Sequence, residues 1–287
     1  MKYKSLLVAA LLLLSSQASA ARPSILYIPM DNRPVCLDYI VQTMQAAGWD
    51  VEIPPEDLIA NAKDSGKSEE LFAWLESRAD ESVAVVASSD ALLYGGLVGS
   101  RTHEIPADVL KDRVERLINL KNEKHGQKVM IFTTIMRSPK ASAAPVEPAY
   151  YQEWGPKLFR LGALEDKLES KVIKKKEIKE LADLRKEIPK TVLDDLYARR
   201  STNIKMTELL LHGVESGDFD YMLIGRDDTA YNMKINENSH ISADFIESLK
   251  NGMWVRILGY IMYKYNIKGF VLSNISHVYM LQKYAKS

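Results

Sequence analysis

The sequence is poor in cysteine and carries no surplus charge of either sign. Its one cysteine, Cys36, excludes an intramolecular disulfide, even for a protein that leaves the cytoplasm. Its 38 lysines and arginines are balanced by 38 aspartates and glutamates. Because a neutral chain does not steer a polyanion toward itself, we predict no nucleic-acid partner.

The familiar motifs of metal and cofactor enzymes are also missing from the sequence. The glycines lack the spacing of a phosphate-binding or dinucleotide-binding loop, and no Gly-x-Ser-x-Gly provides a serine nucleophile. No two histidines lie four residues apart, which disfavours zinc: they are His103, His125, His212, His240 and His277. No cofactor is therefore evident, although the acids described below leave Ca²⁺ or Mg²⁺ as an option.

The first twenty residues have the features of a secretory signal peptide. Lys2 and Lys4 give a positive start, residues 6–14 are apolar but too few to span a bilayer, and Ala18-Ser19-Ala20 is a small-residue cleavage site. We expect residues 1–20 to be removed. The protein is then predicted to be periplasmic or extracellular, with no stable membrane span after cleavage.

Short apolar runs rich in β-branched residues predict buried parallel strands. These runs are residues 25–30, 51–53, 83–89, 129–136 and 221–225. Between the runs, apolar periodicity with proline and glycine at the boundaries predicts helices. These helices are residues 34–47, 68–78 and 106–124. The alternation predicts an α/β fold with a mainly parallel sheet of βα units, either barrel-like or doubly wound.

The alternation is interrupted after the strand that ends near residue 136. A loop rich in proline, alanine and serine is predicted over residues 138–148, and a charged, solvated helical hairpin over residues 157–188. We therefore predict a helical insertion in the core. The predicted divisions are a signal peptide at 1–20, the first part of the core at 21–137, the insertion at 138–215, and a core return with an atypical tail at 216–287.

Each of the four longer runs ends in charged residues. These are Asp31-Asn32-Arg33, then Asp90, then Arg137, and finally Arg226-Asp227-Asp228. Ligands bind parallel sheets just beyond the carboxyl ends of the strands. We therefore expect these segments to converge on an acid-rich site for a small polar or carbohydrate ligand.

Acids and arginines in such loops can form hydrogen bonds with the hydroxyls or the carboxylate of a ligand. Gly95-Gly96 allow the backbone to approach a ligand closely. The candidate catalytic residues are Asp31, Asp90, Asp227 and Asp228. The candidate substrate-binding residues are Asn32, Arg33, Tyr94, Arg101, Arg137 and Arg226. A structural explanation stays open for each acid, as a turn former or as the partner of an arginine.

Two carboxylates on either side of a bond are what glycoside hydrolysis needs. We predict an exported hydrolase that acts on a carbohydrate or cell-wall-derived substrate, with Asp227 or Asp228 as the acid and Asp31 or Asp90 as the base or nucleophile. One alternative is a periplasmic protein that binds a polar ligand without chemistry. Another is a truncated, inactive copy of a longer protein.

The motifs together resemble DUF4127, an exported bacterial family of unknown function. The resemblance rests on three segments: Asp31-Asn32-Arg33-Pro34, Asp90 with Tyr94-Gly95-Gly96-Leu97 and Ser100-Arg101, and Arg226-Asp227-Asp228-Thr229-Ala230. It covers residues 25–231 and implies that these loops form a shared site, but it implies no activity. Family members are longer, so the chain resembles their N-terminal part. No acid follows Glu247, and this change in composition favours truncation over a normal terminal βα unit.

Overall fold

The computed structural model describes residues 24–121, 126–169 and 171–226. Three predictions lie outside these residues: the signal peptide at 1–20, the roles of Asp227 and Asp228, and the atypical tail. They stay predictions. In the part of the chain that is described, no helix is both long and apolar enough to cross a membrane.

Within the described residues, five parallel strands form a sheet in the order β2-β1-β3-β4-β5. They are β1 (Ser24–Ile28), β2 (Asp50–Glu52), β3 (Ala84–Ser88), β4 (Lys128–Ile135) and β5 (Tyr221–Arg226). The predicted α/β fold with a parallel sheet is confirmed. Of the two predicted arrangements, the linear order of the described strands is that of an open, doubly wound sheet rather than a barrel.

The central strands form where the apolar runs predict them, because both of their faces are covered. In β1, the successive residues Leu26, Tyr27 and Ile28 are at most 3% exposed, and in β3 Val85, Ala87 and Ser88 are fully buried. Strands buried on both faces need apolar residues at successive positions, which is why their sequences read as runs rather than as alternations.

The helices of the core are α1 (Asp38–Ala46), α2 (Ser68–Glu76), α3 (Ser89–Tyr94), α4 (Leu97–Thr102) and α5 (Ala107–Ile118). Three regions differ from the prediction. Helix α1 begins at residue 38 rather than 34, because the carbonyl of Arg33 first accepts turn bonds from the N–H groups of Cys36 and Leu37. Helix α5 ends at residue 118 rather than 124, because the chain turns there, with the N–H of Leu120 bonded to the carbonyl of Leu117. The loop predicted at Tyr94-Gly95-Gly96-Leu97 is only Gly95 and Gly96, which lie between two short helices that were not predicted, α3 and α4.

Three helices follow β4: α6 (Tyr151–Glu169), α7 (Lys175–Glu187) and α8 (Lys190–Glu215). Helices α6 and α7 form the predicted hairpin. It is joined by an apolar cluster that includes Leu161, Leu164 and Leu181, and by two bonds of 2.7 Å from Arg160 to Glu180. Helix α8 brings the chain back to β5, packing on α5 and the last two strands.

Candidate functional site

The strand order creates a switch point between β1 and β3. From β1 the chain moves outward to β2 and then returns past β1 to form β3 on its other side. In open parallel sheets, ligands bind in the crevice beyond the carboxyl ends of the strands at such a point. Asp31 lies just beyond β1 and Asp90 just beyond β3. The two predicted acids therefore follow the two strands that flank the switch point.

The other charged segments lie along the same edge of the sheet. Arg137 follows β4, and Arg226 is the last residue of β5, where its backbone pairs with Ile135. Asp227 and Asp228 come next in the sequence and lie outside the described residues. The parallel direction of the strands thus brings the described segments to one edge, as expected.

Asp31 and Arg33 form a compact ion pair beyond β1. The guanidinium Nε lies 2.9 Å from Oδ1 and 3.0 Å from Oδ2, and Nη2 lies 2.7 Å from Oδ2. The backbone N–H of Arg33 also donates to Oδ1, at 3.1 Å. The Arg33 side chain is 49% exposed, whereas that of Asp31 is 9% exposed. The pair therefore presents a guanidinium to solvent and holds the carboxylate beneath it.

The loop that carries this pair is held by its neighbours. The backbone N–H of Asn32 donates to the carbonyl of Ala60 at 2.8 Å. The hydroxyl of Tyr27 donates to the carbonyl of Cys36. Burial, and then the charge of Asp31, raise the pKa of the Cys36 thiol to about 12. Cys36 is therefore protonated at neutral pH, which fits a packed structural thiol.

Asp90 has a different environment from Asp31. It is 1% exposed, and its Oδ2 accepts hydrogen bonds from the backbone N–H of Thr134 at 2.9 Å and from Thr134 Oγ1 at 3.0 Å. The hydroxyl of Ser88 accepts a bond from the N–H of Ala91 and so caps the same helix. Asp90 links the start of α3 to β4. Its proposed catalytic role stays a prediction.

Tyr94 and the two glycines after it pack against the protein itself. Tyr94 is 6% exposed, and its ring stacks on that of His103 with centroids 4.7 Å apart. Gly96 has φ of +118°, and a Cβ there would lie 2.6 Å from Ala60 Cβ and 3.0 Å from the carbonyl oxygen of Met30. At Gly96 the backbone that follows α3 therefore packs directly against the end of the β1 segment at Met30. The binding role predicted for Tyr94 stays a prediction.

Arg101 and Arg137 lie on either side of a buried acid, Glu147. Arg137 Nε donates to Glu147 Oε1 at 2.7 Å, and Arg101 Nη1 lies 3.6 Å from the same oxygen. Glu147 is 2% exposed, and Arg101 is 4% exposed. The structure thus brings these two predicted arginines together, through an acid in the loop before α6.

Sequence reasoning missed Thr134, Glu147 and Arg200. Arg200, on α8, is 5% exposed and donates to the carbonyl of Met136 at 2.9 Å and to that of Arg137 at 2.8 Å. It therefore fixes the chain as it leaves β4. The available signal was the position of Arg200 four residues after Leu196, on the stripe that α8 buries.

A metal site remains a prediction. Among the described residues, no group of three or more histidine, cysteine, aspartate or glutamate side chains lies close enough to hold a metal ion. Asp227 and Asp228, which the Ca²⁺ or Mg²⁺ prediction involves, are not among those residues.

The fold and the site define an open parallel α/β protein whose carboxyl edge carries acids and arginines. The family model described as a protein of unknown function, DUF4127, matches residues 25–257, and the chain belongs to this family. The match extends past residue 231, where the resemblance predicted from the motifs ends. The searches among curated proteins and among solved structures found no match.

Proposed function

We propose that the protein is an exported hydrolase that acts on a carbohydrate or cell-wall-derived substrate at the crevice beyond β1 and β3. One observation carries the proposal: Asp31 and Asp90 follow the two strands that flank the switch point, where open parallel sheets bind their ligands. Of these acids, Asp31 is the one paired with a solvent-exposed group, the Arg33 guanidinium.

In this proposal Asp31 acts on water or on the anomeric carbon, as base or nucleophile. Its ion pair with Arg33 fixes the direction of the carboxylate, and such preorganisation supplies much of the catalytic effect of a positioned group. The glycosidic oxygen takes a proton from a second acid, Asp227 or Asp228 by sequence, and water supplies the new hydroxyl on the sugar. Asp90 supports this site by fixing the adjacent strand ends.

The experiment compares the full chain with its Asp31→Asn variant. We expect the wild type to release reducing ends from a panel of plant, storage and cell-wall glycans. The variant should lose about a hundredfold or more in kcat with its affinity for the same glycan little changed. Asp38→Asn is the matched control, because Asp38 is an exposed acid on α1, just beyond the same loop. It should leave the rate unchanged.

Two results would contradict the proposal: no glycan in the panel is cleaved, or Asp31→Asn cleaves as fast as the wild type. Repeating the assay in EDTA and then with added Ca²⁺ or Mg²⁺ tests the proposed cation. A rate that EDTA abolishes and one of these ions restores would add that cation to the mechanism.

A binding protein without chemistry is the second candidate, and one observation favours it. Both oxygens of Asp31 are already held by Arg33, an arrangement that suits gripping a ligand with the guanidinium rather than reacting with it. In that case Arg33→Lys should weaken ligand binding, because lysine cannot make the bidentate contact. Asp31→Asn would then change the affinity for the ligand, and neither the variant nor the wild type would catalyse a reaction.

A further inference from the structure

A groove of about 390 Å³ lies between the core and the helical insertion. Thr102 and Glu104, at the end of α4, form one side, and Ala149 and Tyr150, before α6, form another. The first turns of α8 complete it. Small-molecule sites in proteins have volumes of about 300–1,000 Å³, so the groove is large enough for one or two sugar rings.

The floor of the groove is a prearranged ion pair. Arg199 donates to both oxygens of Asp195, each at 2.7 Å, and its side chain is only 6% exposed. The hydroxyl of Tyr150 donates to Asp195 Oδ2 at 2.7 Å. Asp195 remains 36% exposed, so an ionised carboxylate with acceptor capacity faces the groove.

A half-buried histidine, His103, supports this floor from behind. The Nε of Arg199 donates to the carbonyl of His103 at 2.9 Å. The ring Nδ1 of His103 accepts from the N–H of Ile105, so Nε2 carries the proton and donates to Asn203 Oδ1 at 2.7 Å. Desolvation lowers the pKa of His103 and keeps this tautomer neutral. The polar groups of the floor are therefore fixed before any ligand arrives.

We propose that this groove binds a neutral, hydroxyl-rich ligand, such as one or two rings of an oligosaccharide. Asp195 and Glu104 accept hydrogen bonds from ligand hydroxyls, and the Thr102 and Thr191 hydroxyls, which also line the groove, complete a polar rim. Tyr150 adds aromatic surface on which the apolar face of a sugar ring packs. The proposal rests on the chemistry of the groove and holds whether or not the strand-end acids are catalytic.

The charges in the groove favour a neutral ligand over an ion. An anion meets two carboxylates, Asp195 and Glu104, and Arg199, the arginine among the described residues that line the groove, is already bound to Asp195. For a cation, the charge of Arg199 cancels that of Asp195, and the remaining attraction comes from the exposed Glu104, which water screens. A neutral ligand that donates hydrogen bonds meets no repulsion from these charges.

The test measures binding rather than turnover. Calorimetry and ligand-observed NMR measure how tightly the full chain binds each of three oligosaccharides: cellotetraose, maltotetraose and the N-acetylglucosamine tetramer. Ala149→Trp fills the groove from an exposed position, and we expect it to weaken the affinity for the glycan at least about tenfold. Glu104→Gln removes one acceptor charge and should weaken it by a smaller factor.

Two exposed positions outside the groove provide matched controls, Ala141→Trp and Glu153→Gln, and both should bind as the wild type does. The proposal is overturned if none of the three glycans binds, or if Ala149→Trp binds as tightly as Ala141→Trp. Tighter binding of the unacetylated, cationic glucosamine tetramer would also overturn it. Asp31→Asn leaves the groove intact, so loss of catalysis and loss of groove binding are separate results.

Discussion

Asp31 and Asp90 have the same place in the sequence pattern but different surroundings in the structure. Each follows a buried parallel strand at the same edge of the sheet. Asp90 is 1% exposed and receives two hydrogen bonds from Thr134 on the next strand, whereas Asp31 is paired with a half-exposed arginine two residues away. Asp90 therefore links two elements of the core, whereas Asp31 positions an arginine at the surface.

The difference shows that an acid at a strand end is ambiguous until its neighbours are known. Strand β4 continues past the end of β3, so Thr134 supplies two hydrogen bonds to Asp90, and this acid becomes part of the framework. Beyond β1, Asp31 instead finds its partner, Arg33, within its own loop. Substitutions at and near these positions test the contrast.

Gly96→Ala should have the largest effect, because Gly96 is where the two strand ends meet. Its φ of +118° is a glycine conformation, and the added Cβ would press on Ala60 and on the carbonyl of Met30. We expect a loss of about 4 kcal/mol in the free energy of unfolding, measured by urea denaturation. Gly48→Ala is the control: its φ is +91° with open space around it, so only about 1 kcal/mol should be lost. Equal losses would contradict a packed contact between the strand ends.

Asp90→Ala should cost about 3 kcal/mol, because it removes a buried carboxylate and leaves the N–H and hydroxyl of the half-buried Thr134 without their acceptor. Asp31→Ala should cost less than about 1 kcal/mol, because its arginine can turn to solvent. Urea unfolding of both variants measures the contrast directly. If Asp31→Ala proves the more damaging, the assignment of framework and surface roles is reversed.

Thr134→Val should cost about 1–2 kcal/mol. It removes the hydroxyl donor to Asp90 but keeps the backbone N–H and nearly the same volume. Thr133→Val is a control, because successive residues of a strand point to opposite faces of the sheet. The double variant Asp90→Ala/Thr134→Val should lose less than the sum of the single variants, as contacting residues do. Additive losses would mean that the two residues act separately.

Asp220 extends the comparison to the opposite edge of the sheet. Burial opposes its ionisation, but bonds from Lys128 Nζ at 2.8 Å and from the N–H of Val129 at 3.0 Å, together with Lys121, outweigh burial and lower its pKa. A lowered folded-state pKa gives stability that is present above the unfolded value, about 3.9, and is lost as the pH falls through the folded value.

Asp220→Asn should therefore reduce the free energy of unfolding at neutral pH by about 1 kcal/mol. The difference from wild type should shrink as the pH falls from about 5 to about 2, where the wild-type carboxyl becomes protonated. Urea unfolding at several pH values measures both curves, with Asp112→Asn, at an exposed position on α5, as the control. A constant difference across this range would show that charge is not the cause.

Much of the fold could be predicted because it depends on local patterns. The apolar runs placed β1, β3, β4 and β5 to within two residues at each end. The helix predicted at 68–78 forms over Ser68–Glu76. In each case the residues are apolar at the spacing that their own element requires, so neighbouring elements did not have to be known.

The segment after Asp90 was predicted less well. Glycines at 95 and 96 read as a loop that approaches a ligand, but they are a short break between α3 and α4. Gly95 ends α3 in the left-handed conformation, and Gly96 meets Met30, far away in sequence. A glycine signals close approach of the backbone, and the sequence does not say what approaches it.

Hydrophobic periodicity and the direction of parallel strands were enough to predict the strands, most of the helices, the parallel sheet and the set of charged residues at one edge. Packing between distant segments set the remaining contacts: Thr134 binds Asp90, Glu147 joins Arg101 to Arg137, and Arg200 holds the end of β4. Hydrogen bonds and ion pairs act over about 3–4 Å, so partners separated by tens of residues are set by packing and leave no periodic trace in the sequence.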